Sequence, residues 1–206
     1  MQGSNEWKEM KIKSRYVSGT TIQAICNEHP FKTADDIFNE INGIVPHFSG
    51  NDYSRLGNIM EEKIIQKYRI MTGYQIDSDQ PMFNYPSNSH IGISPDGIIC
   101  NENTFQPLEI KYAPKRKIMK GYIPNYYAGQ LQLTMAVCSS VWNIPVTSMT
   151  FIQTDSTMEL DIITVIADQD YLKNRLIKIQ KFIDRVESYR QKNPQWLKNY
   201  FAWDLQ

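Results

Sequence analysis

The chain has 206 residues, with 22 basic and 22 acidic side chains and a formal net charge of zero. That length can bury a core without staples, and the balance lacks the basic excess of a non-specific nucleic-acid binder, so any nucleic-acid surface must be local. Three widely spaced cysteines (Cys26, Cys100, Cys138) and three histidines (His29, His47, His90) show no metal-ligand spacing, which argues against an iron–sulfur cluster or a structural zinc.

The chain begins with a polar stretch, then interleaves Lys8, Lys11, Lys13 and Arg15 with Trp7, Met10 and Ile12. Val17 to Ile22 reads as a turn leading into a short helix through Ile25. Thr33 is placed to cap a helix over Ala34 to Ile41, with Asp35 and Asp36 in its first turn. Asn42 to Tyr53 is expected to be loop. Leu56 to Met71 carries a helical stripe of Ile59, Met60, Ile64, Tyr68 and Met71, closed by Gly73.

Strands are expected near Tyr74–Asp77, Gln80–Tyr85, His90–Ile93, Gly97–Cys100 and Leu108–Tyr112. A helix over Pro124–Val141 follows, with proline near its start. Two strands, Thr147–Thr154 and Glu159–Ala167, precede one long amphipathic helix from Asp168 to about Lys192. An aromatic tail (Trp196, Tyr200, Phe201, Trp203) is expected, like Trp7, to pack on the body or a subunit partner, the alternative being to wedge or stack on a nucleic-acid end. The order implies an α/β fold, a single-domain mixed β-sheet flanked by helices. No leader of signal-peptide type and no run long enough to span a bilayer is seen, so an intracellular protein with reduced thiols is expected.

Ser94-Pro95-Asp96-Gly97 and Leu108-Glu109-Ile110-Lys111 stand at the edges of two apolar runs joined by the turn Asn101 to Asn103. In a hairpin centred on that turn, Asp96 falls opposite Leu108 or Glu109. Strand alternation puts Glu109 and Lys111 on one face, Leu108, Ile110 and Tyr112 on the other. The charged face is then either solvent or a site. Two carboxylates and an ammonium on one sheet edge suit a hard divalent cation and a polarised water, and the chemistry they point to is phosphodiester hydrolysis. Lys115, Arg116, Lys117 and Lys120 form a basic run just beyond, either a solvated loop or a grip on a nucleic-acid backbone.

An acid on the preceding helix (Glu61) and a glutamine on the following one (Gln130) complete an ordered set. Gly57-x-x-x-Glu61, Ser94-Pro95-Asp96-Gly97, Glu109-x-Lys111 and Pro124-x-x-Tyr127-x-x-Gln130-x-Gln132 together resemble the lambda-exonuclease (YqaJ-like) family of the PD-(D/E)xK nuclease superfamily. The resemblance implies a restriction-endonuclease-like core over about 54–192, an N-terminal region 1–53 that binds the substrate end, and a tail 193–206.

It also implies roles. Asp96, Glu109 and the Ile110 carbonyl would hold Mg²⁺ or Mn²⁺, with Glu61 helping directly or through water. Lys111 would activate the attacking water, and Gln130 would position that water or a terminal phosphate. Glu62, about a hundred degrees round the helix from Glu61, is expected to be a surface acid. Thr20, in Val17-Ser18-Gly19-Thr20, and Ser94 would meet a 5′-phosphate beside a basic residue. Lys11, Lys13 and Arg15 compete for that place, Arg15 being favoured because a guanidinium grips phosphate bidentately.

By the same resemblance the protein would be a Mg²⁺-dependent 5′-to-3′ exonuclease on double-stranded DNA ends. A homotrimeric ring, a single-strand annealing partner, and a viral or phage origin working in cytoplasm or host nucleus would accompany it. An endonuclease or ribonuclease on the same core is the alternative. A catalytically dead DNA-binding module is disfavoured by the presence of Asp96, Glu109 and Lys111 together.

Overall fold

The computed structural model describes residues 12–46, 52–79, 81–101 and 104–202. Trp7, Lys8, Met10, Lys11, His47, Gln80, Glu102, Asn103 and Trp203 lie outside them. A five-stranded mixed sheet forms the centre, in the order β2 (Gln75–Asp77), β5 (Gly97–Asn101), β6 (Thr104–Tyr112), β7 (Ser148–Thr154), β8 (Asp161–Ile166). Pairing is antiparallel except between β6 and β7, which run parallel with Glu109 beside Phe151 and Lys111 beside Gln153. A second, three-stranded sheet sets β4 (Asn88–Ile93) between β1 (Val17–Ser18), parallel to it, and β3 (Phe83–Tyr85), antiparallel to it.

Helices cover both faces of the large sheet. On one side α3 (Asp52–Thr72) packs Ile64, Ile65 and Tyr68 against Ile76, Ile99, Leu108, Ile110 and Ile152. On the other, α4 (Ala128–Trp142) and α6 (Leu176–Lys192) join α1 (Ile22–Ile25) and α2 (Ala34–Ile41) in the larger core, around Phe151, Met149, Leu131 and Ile183. Strand alternation explains the split: Leu108, Ile110 and Ile152 point to α3, while Phe151 and Met149 point to α4. Both faces of β6 are therefore covered, and its charged face is not a solvent face.

Several expectations match the structure closely. α2 spans Ala34 to Ile41, and Thr33 Oγ1 accepts from Asp36 N while Asp36 accepts from Thr33 N, a reciprocal capping box. Gly73 closes α3 at φ +72, its N–H donating to Arg69 O.

Others are corrected. Val17–Ser18 is a strand rather than a turn, because it pairs with Ile91–Gly92. α3 begins at Asp52, inside the expected loop, and Ile59 and Met71 are exposed where Ile65 is buried. The Pro124 segment opens with a 3₁₀ turn, Asn125–Tyr127, before α4 begins. The long C-terminal helix is two: α5 (Gln169–Lys173), capped by Asp168, then α6. The break falls at Asn174–Arg175, where Arg175 turns back to donate to Tyr171 O and to Glu28.

The tail forms α7 (Trp196–Ala202) and packs on the body. Trp196 lies 3.4 Å from the Arg190 guanidinium, and a Cβ at Gly43 would meet the Tyr200 backbone at 2.4 Å. Among the described residues no helix is long and apolar enough to cross a membrane.

Candidate active site

The β5–β6 hairpin pairs Gly97 with Leu108, and Asp96 N donates to Leu108 O at 3.1 Å, which sets Asp96 across from Glu109. Pro95 and Gly97 bracket Asp96; a Cβ at Gly97 would press on Ile76 at 3.0 Å. Asp96 Oδ2 accepts from Ile110 N at 2.7 Å, so this carboxylate is fixed by the strand that carries Glu109 and Lys111.

Glu109 is only 1% exposed. Its Oε1 accepts from Lys111 Nζ at 2.5 Å and from Gln130 Nε2, which α4 brings down onto the sheet. Its Oε2 is buried with no hydrogen-bond partner. Burial drives the Glu109 pKa up to about 8, with Asp96 adding to the rise and Lys111 opposing it. Glu61, half-buried on α3, is pushed up to about 7, first by burial and then by the Asp96 charge. Burial raises Asp96 too, against the pull of Lys111 and the Ile110 N–H. The Lys111 pKa moves up despite burial, because Glu109 and Asp96 favour its charged form. The Tyr127 ring lies 5.4 Å from the Lys111 ammonium. Glu62 is exposed and bonds with Gln66, as the helix geometry requires.

Three carboxyl groups held partly against ionisation around one lysine mark a candidate functional site. The donor set fits a hard divalent ion: carboxylate oxygens, a main-chain carbonyl at Ile110 and, decisively, a buried carboxylate oxygen left without a partner. Among the described residues no group of three His, Cys, Asp or Glu side chains is arranged as a ready metal cage.

A second polar cluster abuts the first. Arg15 is 7% exposed, and its guanidinium donates to Ile93 O at 3.1 Å and reaches Ser94 Oγ at 3.5 Å. Its Nε is buried and without a hydrogen-bond partner, and burial lowers its pKa to about 10. Only glycine fits at position 92, where a Cβ would sit 2.7 Å from that Nε. The turn after β1 lies close to Gln130, whose Cγ a Cβ at Gly19 would meet at 3.0 Å, and an exposed Thr20 bonds with Ser18. The structure thus brings Arg15 to Ser94, and Gly19 to the Glu109 partner Gln130. Lys13 is exposed, and Lys11 lies outside the described residues.

Lys115, Arg116 and Lys117 are exposed on the loop after β6. Sequence reasoning did not single out what holds that loop. Gln153, beside Lys111 on β7, donates to Met119 O, Tyr122 O and Asp161, and Asp161 accepts from Gly121 N. Only the pairing of β6 with β7 reveals this.

This architecture is similar to that of solved exonucleases. The alkaline exonuclease of Laribacter hongkongensis aligns with a TM-score of 0.70 and 16% identity over 93% of this chain and 97% of that one. Its complex with dAMP gives 0.69 and 16% over 93% and 99%. A phage-related exonuclease from Haemophilus somnus 129PT gives 0.55 and 14% over 91% and 94%. At these identities the likeness establishes the fold alone, a mixed α/β domain with mixed sheets flanked by helices. No curated protein matches the sequence. A family model does: that of the YqaJ-like viral recombinase domain matches residues 6–148, and the chain belongs to that family.

Proposed function

We propose that the chain is a metal-dependent exodeoxyribonuclease that digests double-stranded DNA ends from 5′ to 3′ during recombination, repair or viral DNA processing. Its cofactor is Mg²⁺, for which Mn²⁺ can substitute. The recombinase family and the exonuclease fold support the nuclease class. The observation that carries the metal is the orphaned Glu109 Oε2 beside Asp96, with the opposite oxygen already committed to Lys111 and Gln130. Asp96, Glu109 and the Ile110 carbonyl would hold the cation, with Glu61 contributing directly or through water.

A bound divalent cation supplies Lewis acidity toward the phosphoryl oxygens and a water of lowered pKa. The protein supplies the rest. Lys111 keeps its positive charge beside Glu109, where it orients the attacking water and offsets charge growing on the phosphate. Gln130 fixes the Glu109 rotamer, and the Tyr127 ring backs the lysine. Arg15 and Ser94, with Thr20 on the adjoining turn, receive the terminal 5′-phosphate, and this contact sets the direction of digestion. Lys115, Arg116 and Lys117 grip the backbone beyond the cut.

A time course with Mg²⁺ on linear duplexes bearing 5′-phosphate or 5′-hydroxyl ends, beside a covalently closed circle, tests this reading. Preferential loss of the phosphorylated linear DNA with the circle intact is the expected result. A cut circle would replace the exonuclease with an endonuclease on the same site. Indifference to the end group would remove the Arg15 pocket from the mechanism.

A further inference from the structure

An unbroken run of aromatic rings leads from the candidate site to the surface. Beyond Lys111, Tyr127 packs on Phe151 and meets Tyr126 edge to face, 4.5 Å between centroids and 61° between planes. Tyr126 is 6.0 Å from His29 at 59°, and His29 is 5.9 Å from Phe31 at 72°, so successive rings turn different faces outward. Phe31 is 84% exposed.

The loop that carries it is built rather than slack. His29 Nδ1 accepts from both Phe31 N and Lys32 N at 3.1 Å, and Glu28 is tied to Arg175 at 2.9 Å. Gln23 of α1 donates to Asn125 O at 2.6 Å, fastening this end of the chain to the turn that bears the tyrosines. Burial and Lys32 hold the His29 pKa below its usual value. Arg116 donates to the Tyr126 hydroxyl at 3.1 Å, so a cation flanks the rings midway.

We propose that Phe31, His29, Tyr126 and Tyr127 form a stacking track for a single nucleic-acid strand running to the scissile position at Lys111, with Arg116 on its phosphates. This rests on the nuclease reading of the site. Aromatic faces accept any base, and a neighbouring guanidinium supplies the charge match that an apolar protein segment would not need. Continuity with Lys111 selects the occupant as the strand being cut, separated from its complement. In the other direction the track ends at the exposed Phe31.

The test is fluorescence anisotropy of labelled short oligo(dT) in EDTA, where nothing is cut, with wild type, Phe31→Ala, Phe31→Tyr and Arg116→Ala. Phe31→Ala is expected to weaken binding about tenfold, and Phe31→Tyr to restore it, since one base–aromatic stack is being removed and replaced. Arg116→Ala should weaken binding and flatten its salt dependence, a change Phe31→Ala should not make. Unchanged binding by Phe31→Ala, equal loss in Phe31→Tyr, or no oligo(dT) binding by wild type would each overturn the track.

Duplex digestion with Mg²⁺, run in parallel on wild type, separates the two readings. Digestion together with Phe31-independent binding removes the track alone. Phe31-dependent binding without digestion removes the nuclease reading and leaves the stacking surface.

Discussion

The two polar clusters at the heart of this fold are mirror images in charge and opposites in construction. The hairpin site leaves a buried carboxylate oxygen, Glu109 Oε2, without a partner; the neighbouring pocket leaves a buried guanidinium nitrogen, Arg15 Nε, without one. An unpaired buried acceptor calls for a donor or a cation and an unpaired buried donor for an acceptor or an anion, since either costs about 1–3 kcal/mol if left unmet. A metal and a terminal phosphate are ligands of the required signs. The first cluster is assembled by a hairpin whose strands are neighbours in sequence. The second depends on a two-residue parallel pairing, Val17–Ser18 on Ile91–Gly92, that draws the N-terminal segment across to β4.

The comparison is broken most severely by Lys111→Ala. It should lower the single-turnover cutting rate by about a thousandfold, a loss typical of removing a preorganised charge at a reacting centre. DNA affinity should stay within a few-fold, because the role proposed for the lysine is on the water and not on the duplex. Loss of binding with intact chemistry would reverse that assignment.

Arg15→Met keeps bulk and removes charge. It should cut the preference for 5′-phosphate over 5′-hydroxyl ends about tenfold, the scale of a charge-assisted hydrogen bond, with the rate on hydroxyl ends little changed. An equal loss on both ends would move Arg15 from end recognition to general support.

A third test sharpens the electrostatic half of the contrast. In metal-free protein, Glu109 and Glu61 have folded pKa values near 8 and 7, above an unfolded value of 4.5. Between those values the native state holds protons that the unfolded chain has released, so stability falls as pH rises from about 5 to about 8. Lys111 stays charged throughout that window. Thermal melts in EDTA should show the decline, and Mg²⁺ should flatten it. A melt that rises with pH in EDTA would contradict the buried-carboxylate account.

The hairpin site was legible because its signals are local: period-two alternation, a turn, and acids at fixed offsets. Sequence alternation left open whether the Glu109 face met solvent or formed a site, and only α4, delivering Gln130, shows that it is covered. Arg15 came forward through its chemistry, while the strand that places it gave no periodic signal in two residues. The break after α5 was hidden because Leu172, Leu176 and Ile179 keep helical spacing across Asn174–Arg175. Tertiary bonds from Arg175 to Glu28 and Tyr171 O accompany the turn there, and no local pattern encodes them. On α3 Met60, Ile64 and Tyr68 of the expected stripe face the sheet, while Ile59 and Met71 do not and Ile65 does, because these side chains are equally apolar and only the sheet beneath decides which is buried.

The most direct test of the central claim, that Asp96 and Glu109 hold a divalent cation, is the melting temperature of wild type, Asp96→Asn and Glu109→Gln with and without Mn²⁺. The account predicts a concentration-dependent rise for wild type and none for either folded variant. A wild type indifferent to Mn²⁺, or variants that respond as wild type does, would contradict it.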